Sequence, residues 1–489
     1  MLVSLCVAEA VLFVNTTAFN LALPSVARSF NASTAEQQWV VSVYPLCFVA
    51  VLLIAGFFGD LIGYRHVLLT GLTLYAAASV LGVVAANMVM LIAARALLGV
   101  AAGMFIPMGL ALITTSFSAN NRSRAVTIWT VAGTLGIPLG PIIGGGMTLV
   151  MGWKGLFIFD VIAMAVALVL NWTFLPKDRA EGRAKTKFPL LQSLLMIAGV
   201  SLLSTGLINA QKALLSWATL LPFLSGLTLA WLFVFVVGRS DTQLTDLSLM
   251  RFTSFKVSSV ALLLLNCAAF GVTFILPTYL EAVKGQNALT SGLMLMPMVA
   301  AAIAGAMLNK SFFDKIGERR ACLMGLFFIG FGLLTIALGI YTGVYGILVV
   351  GQIVAGIGMG SGQPVSFSWA FCDVPSERSG KGSSLLSVFQ QLGSILGIGV
   401  FGSIQGALYV RGLSSEVQGT GMAVANTVTA SLQQATNMTG QAAALRQSAI
   451  RAYVSAGTAN FIISGLIVMI ALMVVFLIVT QADGKSVLA

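Results

Sequence analysis

Charged residues are scarce in this chain. Asp, Glu, Lys and Arg make up only 8% of its 489 residues, while hydrophobic residues make up 58%. Soluble domains carry about 25% charged residues. So few charges cannot cover the surface of a soluble protein, and the composition therefore indicates a polytopic membrane protein.

Catalytic side chains are equally scarce. The chain has one histidine, His66, and its sequence contains no metal-ligand cluster and no nucleophile–base set. The phosphate-binding pattern G-x-x-x-x-G-K-S/T is also missing. We therefore expect no enzyme activity, no ATP-driven reaction, and no bound cofactor or metal.

Cysteine is present but shows no paired spacing. Five are found, at Cys6, Cys47, Cys267, Cys322 and Cys372. They fall in apolar runs or in connections, where a free cysteine behaves as a small packing residue. The sequence predicts no disulfide framework.

Long apolar runs fill the chain. A membrane-spanning helix needs about 20 apolar residues, and about fourteen such runs are found. The first run resembles a signal peptide, but Glu9 interrupts it and no basic residue precedes it, so we expect a retained helix. The runs lie at about 2–24, 39–59, 66–86, 89–116, 125–150, 154–175, 190–211, 217–237, 257–280, 291–308, 321–341, 343–369, 383–408 and 457–480.

Basic residues divide unequally between the two sides of these spans. With Met1 in the cytoplasm, roughly 18 Lys and Arg fall on cytoplasmic connections and roughly 7 on outside ones. Positive residues favour the cytoplasmic side. We therefore predict both termini in the cytoplasm, and we interpret the net charge of +11 as a topology signal, not as a nucleic-acid footprint.

The stretch GTLGIPLGPIIGGG combines two helix-modifying residue types. Its glycines recur every four residues, at Gly136, Gly140 and Gly144, and so share one helix face that a partner backbone can approach. Pro138 and Pro141 each remove a backbone donor and tend to bend the helix. The pattern indicates a hinge or a tight seam between moving bundles, with an ordinary packing face as the alternative.

This stretch resembles the fifth-helix signature of antiporters in the major facilitator superfamily. The segment VNTTAFNLALP resembles the first-helix motif of the fourteen-helix drug–proton antiporter family, matching at Thr17 and Asn20. Members of that family have a proton-carrying Asp where this chain has Asn15. The resemblance continues in order along nearly the whole chain.

The resemblance implies an all-α major facilitator fold of two six-helix bundles with two additional central helices. The expected N-terminal bundle covers 1–175. A basic linker, the two additional helices and a cytoplasmic loop cover 176–256, and the C-terminal bundle covers 257–489, with an outside loop at about 409–456.

The segment GFFGDLIGYRHVLL resembles the superfamily's cytoplasmic loop signature, although the usual basic residue after the Asp is Leu61 here. Such a loop places a carboxylate and a guanidinium at the cytoplasmic mouth, as a charge-paired gate. A weaker copy, DKIGERR, indicates an internal repeat. The candidate gate residues are Gly56, Asp60, Gly63 and Arg65, with Asp314 and Arg319 in the second copy.

Arg95 is surrounded by apolar residues of the fourth run, and an arginine at bilayer depth costs about 2.5–3.5 kcal/mol on insertion scales. It must therefore face a partner or a water-filled cavity. The sixth run resembles a family pattern that ends in Asn, where this chain has Asp160. Helix rise places Arg95, Asn15 and Asp160 at similar depths, about 9–13 Å below the outer ends of their helices. We predict that the family's carboxylate and amide have traded places; a static Arg95–Asp160 salt bridge is the alternative.

Five other polar or aromatic residues are candidates. Glu9 shares a helix with Asn15 but points to another face; a second coupling acid is one interpretation, and an acid near the cytoplasmic water is the other. Trp39 and Tyr44 match a family pattern, as substrate-stacking groups or as anchors at the lipid interface. Glu281 and Gln390 are vestibule or cavity candidates.

The function that the resemblance implies is export of lipophilic, often cationic, drugs or metabolites in exchange for protons by alternating access. The expected partners are the lipid bilayer, the substrate and protons, with the proton gradient as energy source. We expect a monomer in the bacterial cytoplasmic membrane, with an accessory periplasmic protein as an option. Alternatives are a dedicated exporter or importer of one metabolite, not necessarily proton-driven, and a sensor or scaffold that transports nothing.

Overall fold

The computed structural model is helical throughout the part of the chain that it describes, which contains no β-strand. The described residues are 1–30, 32, 34–176, 190–210, 216–239, 246–286, 288–308, 316–374, 379–417, 431–432, 435 and 442–486.

Fifteen α-helices are described, together with a 3₁₀-helix at Leu247–Arg251 and a π-helical turn at Tyr279–Val283. The helices are α1 Leu2–Phe30, α2 Thr34–Ile62, α3 Tyr64–Val83, α4 Met88–Ser116, α5 Ala119–Met151, α6 Lys154–Phe174, α7 Leu190–Ala210, α8 Trp217–Arg239, α9 Thr253–Thr278, α10 Ala288–Met294, α11 Met296–Leu308, α12 Glu318–Thr342, α13 Tyr345–Ala370, α14 Ser379–Val417 and α15 Ala442–Ser486.

Ten helices in the described residues are long and apolar enough to cross a membrane. Shorter apolar stretches of 10–17 residues lie within α1, α2, α5 and α7. The prediction of an all-helical membrane protein is therefore confirmed, while the count of fourteen spans stays a prediction. Both ends of the outside loop predicted at about 409–456 are helical: α14 continues to Val417, and α15 starts at Ala442.

The chain divides into two compact units. The first comprises Met1–Leu203, Ser225–Ser259 and Ser366–Gln391. Within it, α1 packs along α5, α4 packs between α2 and α3, and α6 lies against α3 and α1. This packing brings α1, α4 and α6 into one core.

The second unit comprises Ser204–Leu224, Val260–Val365 and Leu392–Ala489. Within it, α12 packs along α15, and close glycine contacts join α12 to α13. The predicted tenth span comprises α10 and α11, which are separated by a one-residue turn at Leu295 and together count as one of the ten candidate spans, Thr290–Met307. Pro297 lacks a backbone donor, which accounts for the interruption.

Two glycines give the repeated loop motif the same backbone. Gly63 precedes α3 with φ 106° and ψ 142°, and Gly317 precedes α12 with φ 83° and ψ 148°. Positive φ values of this kind favour glycine. The two copies of the motif therefore start their helices in the same way, which supports the internal repeat.

The glycines of the GTLGIPLGPIIGGG stretch form a seam with α1. A Cβ placed on Gly136 would meet the Ala10 carbonyl oxygen and would lie 2.8 Å from the Phe13 Cβ; at Gly144 it would lie 2.8 Å from Ala18. Gly140 is also buried. The seam lies inside the first unit, and α5 continues through it as one helix. The side chains of Pro138 and Pro141 lie outside the described residues.

Gly136→Val is expected to destabilise the α1–α5 seam by at least about 1–3 kcal/mol, because the added methyl groups collide with backbone that cannot move aside. The matched control is Gly146→Val on the same helix, since a Cβ there meets nothing within 4 Å. Thermal unfolding of the two purified variants in detergent checks this. Equal midpoints for both variants would contradict the seam.

Candidate functional site

Arg95 is the centre of a buried cluster in the first unit. It lies on α4 and is only 1% exposed. Its Nε donates a hydrogen bond to the Val40 carbonyl oxygen on α2, at 3.2 Å. The guanidinium carbon lies 4.3 Å from the ring centroid of Phe19 on α1 and 4.8 Å from that of Tyr44 on α2. Two aromatic faces therefore stabilise the charge within the helix bundle.

Asn15 joins Arg95 to Asp160. Its Oδ1 accepts a hydrogen bond from Arg95 Nη1, and its Nδ2 donates one to Asp160 Oδ2. All three side chains are buried. The described residues contain no direct ion pair between Arg95 and Asp160, so a relay through the amide joins the two groups in place of the salt bridge that was the alternative.

The two hydrogen bonds fix the orientation of the Asn15 amide. An amide has separate donor and acceptor ends, so it can bind a guanidinium and a carboxylate at the same time only in this orientation. The result is a line of cation, dipole and anion drawn from α4, α1 and α6. A carboxylate in such a line can gain or lose a proton while its neighbours stay in place.

Small residues allow the helices around the cluster to approach closely. A Cβ on Gly99, one turn after Arg95, would meet the Tyr44 carbonyl oxygen of α2. A Cβ on Gly82 of α3 would overlap the ring of Phe157 on α6. Phe157 in turn packs edge-on against Phe19, with centroids 6.0 Å apart. The cluster is therefore enclosed by aromatic side chains and tight glycine contacts.

Tyr75 on α3 is a further member of the cluster that the sequence did not single out. Its side chain is fully buried, and its hydroxyl has no hydrogen-bond partner among the described residues. It interacts electrostatically with Asp160, Tyr44 and Arg95. An apolar run with one tyrosine gives no signal for this placement, because the run does not fix which way the ring points.

Glu9 does not lie near water as one interpretation of the sequence has it. Its side chain is 3% exposed, and its Oε2 has no hydrogen-bond partner within the described part of the chain. It packs against Gly133 of α5, where a Cβ would lie 3.0 Å from Glu9 Cγ. The acid is therefore enclosed in the α1–α5 seam.

The aromatic and vestibule candidates divide between two environments. Trp39 is 48% exposed, as expected of an interface anchor, whereas Tyr44 is buried on Arg95 and not on the lipid side. Glu281 lies in the π-helical turn, half-buried, and its Oε1 lacks a partner among the described residues. Gln390 is half-buried and interacts with a neighbouring group.

Arg65, at the start of α3, lies against the end of α6. Its Nη2 donates to the Trp172 carbonyl oxygen at 2.7 Å, and the guanidinium carbon lies 5.9 Å from the Trp172 ring centroid. A cation at a helix C-terminus is favourable. Gly56 is half-buried and Arg319 makes contacts of its own, while the Asp60 side chain and Asp314 lie outside the described residues. The predicted charge-paired gate therefore stays a prediction.

The second unit holds polar contacts that the sequence analysis missed. Asn460 on α15 donates to the Phe401 carbonyl oxygen of α14 at 2.8 Å, and Gln405 Nε2 donates to the Tyr453 carbonyl oxygen at 3.3 Å. Amides within apolar runs are a usable signal, because each needs a partner away from water. The described residues contain no group of three metal-ligating side chains.

Comparison with known proteins gives a consistent result. The sequence profile of the Major Facilitator Superfamily matches residues 5–398. The chain is 31% identical over 398 residues to the multidrug efflux pump LfrA of Mycolicibacterium smegmatis, covering 81% of this chain and 78% of that protein. It is 29% identical over 412 residues to a probable actinorhodin transporter of Streptomyces coelicolor, covering 81% and 70%.

A solved structure shows the same fold. A bacterial homologue of the human lysosomal transporter Spinster, in an inward-facing and unoccupied conformation, aligns with a TM-score of 0.63 at 15% identity. The alignment covers 97% of both chains. At this identity the likeness concerns the fold alone.

Proposed function

This chain belongs to the Major Facilitator Superfamily, and we propose that it is a secondary active exporter that exchanges lipophilic compounds for protons by alternating access. The observation that carries the proposal is the buried relay of Arg95, Asn15 and Asp160. Ionisable side chains inside a membrane are costly to bury and mark ion or proton pathways. The relatives named as efflux proteins support the direction of transport.

The charge balance of the relay supports the proposed proton coupling. With Asp160 ionised, the relay carries one positive and one negative charge and is neutral overall. A proton on Asp160 leaves the charge of Arg95 uncompensated inside the bundle. Protonation therefore changes the free energy of any conformation that buries the relay, which is what coupling between proton binding and a conformational change requires.

The relatives and the composition support lipophilic compounds as the substrate class. One relative is named a multidrug efflux pump and another a probable actinorhodin transporter, so drugs and a single metabolite are both candidate substrates. The chain has 30 Phe and 20 Met, which suit loosely specified apolar ligands. We therefore place broad export first and a dedicated exporter second.

We also propose the fourteen-helix architecture with both termini in the cytoplasm. Ten described spans together with the apolar stretches of α1, α2, α5 and α7 are compatible with the fourteen-helix subtype. The excess of basic residues on alternate connections supports cytoplasmic termini in a bacterial cytoplasmic membrane. The proton gradient is the proposed energy source, and no cofactor is proposed.

Everted or reconstituted vesicles test this function. Ethidium uptake should require an imposed proton gradient, should vanish when the gradient is collapsed, and should fall about 100-fold when Asp160 is replaced by Asn. The matched control is Glu416→Gln, which removes the carboxylate of a surface ion pair with Arg451 (N···O 3.4 Å) and should transport normally.

Each other outcome selects an alternative. Gradient-driven uptake that survives Asp160→Asn would leave Asp160 structural. Flux of one metabolite but of no dye would favour the dedicated exporter. Absence of flux with every substrate would favour the sensor or scaffold.

A further inference from the structure

The buried acid on α1 is not used by the relay. Glu9 lies six residues before Asn15, which corresponds to about 9 Å along the helix axis. Its Oε2 is buried and has no hydrogen-bond partner in the described part of the chain. Burying a carboxylate without a compensating partner is strongly unfavourable, so such a group retains a proton instead of its charge.

The surroundings of Glu9 enclose its side chain tightly and provide no counter-charge. Among the described residues, α1 packs against α2, α4, α5 and α6. On α5, Gly133 faces the acid, and a Cβ there would lie 3.2 Å from Glu9 Oε1. No basic side chain of the described residues forms an ion pair with Glu9. The titratable groups that interact electrostatically with Glu9 are Cys6 on α1 and Tyr44 on α2, and Tyr44 in turn contacts Arg95 of the relay.

The enclosure also restricts what can bind. At 3% exposure, the side chain leaves no room for an organic cation beside the carboxyl group. A metal cation would need several oxygen ligands, whereas Oε2 has no polar neighbour within hydrogen-bond distance among the described residues. The ligand that fits without any movement of the helices is a proton.

We infer that Glu9 is a second proton-exchanging carboxylate, so that each transport cycle carries two protons, one at Asp160 and one at Glu9. The inference rests on the proposed function and specifies its stoichiometry. Two carboxyl groups then each take up one proton and release it on the other side of the membrane, while one substrate molecule leaves. With a monovalent cationic substrate, one net positive charge enters per cycle.

The stoichiometry has a measurable consequence. With the membrane potential clamped to zero and a gradient of one pH unit, each coupled proton supports a tenfold substrate gradient at equilibrium. Wild-type protein should therefore approach an ethidium accumulation ratio of about 100, and Glu9→Gln a ratio of about 10. A negative-inside potential should drive ethidium export by the wild type and leave Glu9→Gln unaffected, because exchange of one proton for one monovalent cation moves no net charge.

Infrared spectroscopy of the purified full-length protein supplies a test that needs no transport. The protonated-carboxyl absorption at neutral pH should decrease in Glu9→Gln and should be unchanged in the control Glu416→Gln. Glu9→Asp retains a carboxyl group and should retain two-proton coupling, so it tests the inference even where the glutamine variant is poorly folded.

The two hypotheses fail in different ways. A wild type without gradient-driven accumulation would contradict the proposed function, while the infrared comparison would still decide whether Glu9 holds a proton. A Glu9→Gln protein that still accumulates about 100-fold and still responds to the potential would overturn the second proton site. An unchanged infrared absorption in Glu9→Gln would overturn it as well.

Discussion

Exchanging the side chains of Asn15 and Asp160, which share a buried hydrogen bond, should restore much of the transport that Asp160→Asn alone removes. Asp160→Asn alone is expected to lower gradient-driven ethidium flux by about 100-fold, near the upper limit of common coupling free energies. The double variant Asn15→Asp/Asp160→Asn should recover to within about tenfold of wild type, since it keeps one carboxylate, one amide and the bond between them.

The expectation follows from the positions of the two groups. Asn15 already contacts both Arg95 and Asp160, so a carboxylate at position 15 would meet the guanidinium directly. An amide at position 160 would then donate to that carboxylate. The exchanged arrangement corresponds to the family pattern that the first and sixth runs resemble.

The single variant Asn15→Asp is the matched control. It places two carboxylates within hydrogen-bond distance of each other, where like charges oppose joint ionisation. It should transport poorly although it contains the residue that the family has at this position. Wild-type transport by Asn15→Asp alone, or no recovery of transport in the double variant, would contradict the relay. Protein yield and gel-filtration profiles of all three variants separate loss of transport from loss of folding.

The depth of the charged residues could be predicted from the sequence, because helix rise fixes depth once a span is recognised. That arithmetic placed Arg95, Asn15 and Asp160 at one level, and the structure brings them together. The amide bridge between the charges could not be predicted in the same way. It depends on how α1, α4 and α6 are rotated about their axes.

Rotation also explains the interpretations of Glu9 and Tyr44 that the structure does not support. A nearly uniform apolar span gives no periodic pattern to show which face meets a neighbour and which meets lipid. One interpretation of the sequence puts Glu9 near the cytoplasmic water, yet its side chain is enclosed against Gly133 of α5. Tyr44 resembles an interface anchor in sequence, yet α2 turns it onto Arg95.

Removing the charge of Arg95 should destabilise the protein more than removing both charges of the relay. Arg95→Met keeps a side chain that fills space but leaves Asp160 and the acceptor end of Asn15 without their cation. Breaking a buried charge pair from one side costs about 3–5 kcal/mol, whereas replacing both charges is often nearly neutral. Arg95→Met/Asp160→Asn should therefore unfold at a higher temperature than Arg95→Met.

Thermal unfolding of wild type, both single variants and the double variant in detergent forms a double-mutant cycle that measures this coupling. Arg95→Lys serves as the conservative control, since it keeps the positive charge but cannot contact the Val40 carbonyl oxygen and Asn15 together from a rigid fork. It should fold close to wild type and transport weakly. Additive effects of Arg95→Met and Asp160→Asn would mean that Asn15 transmits no energy between the charges, and the relay would then be a packing arrangement without a role in coupling.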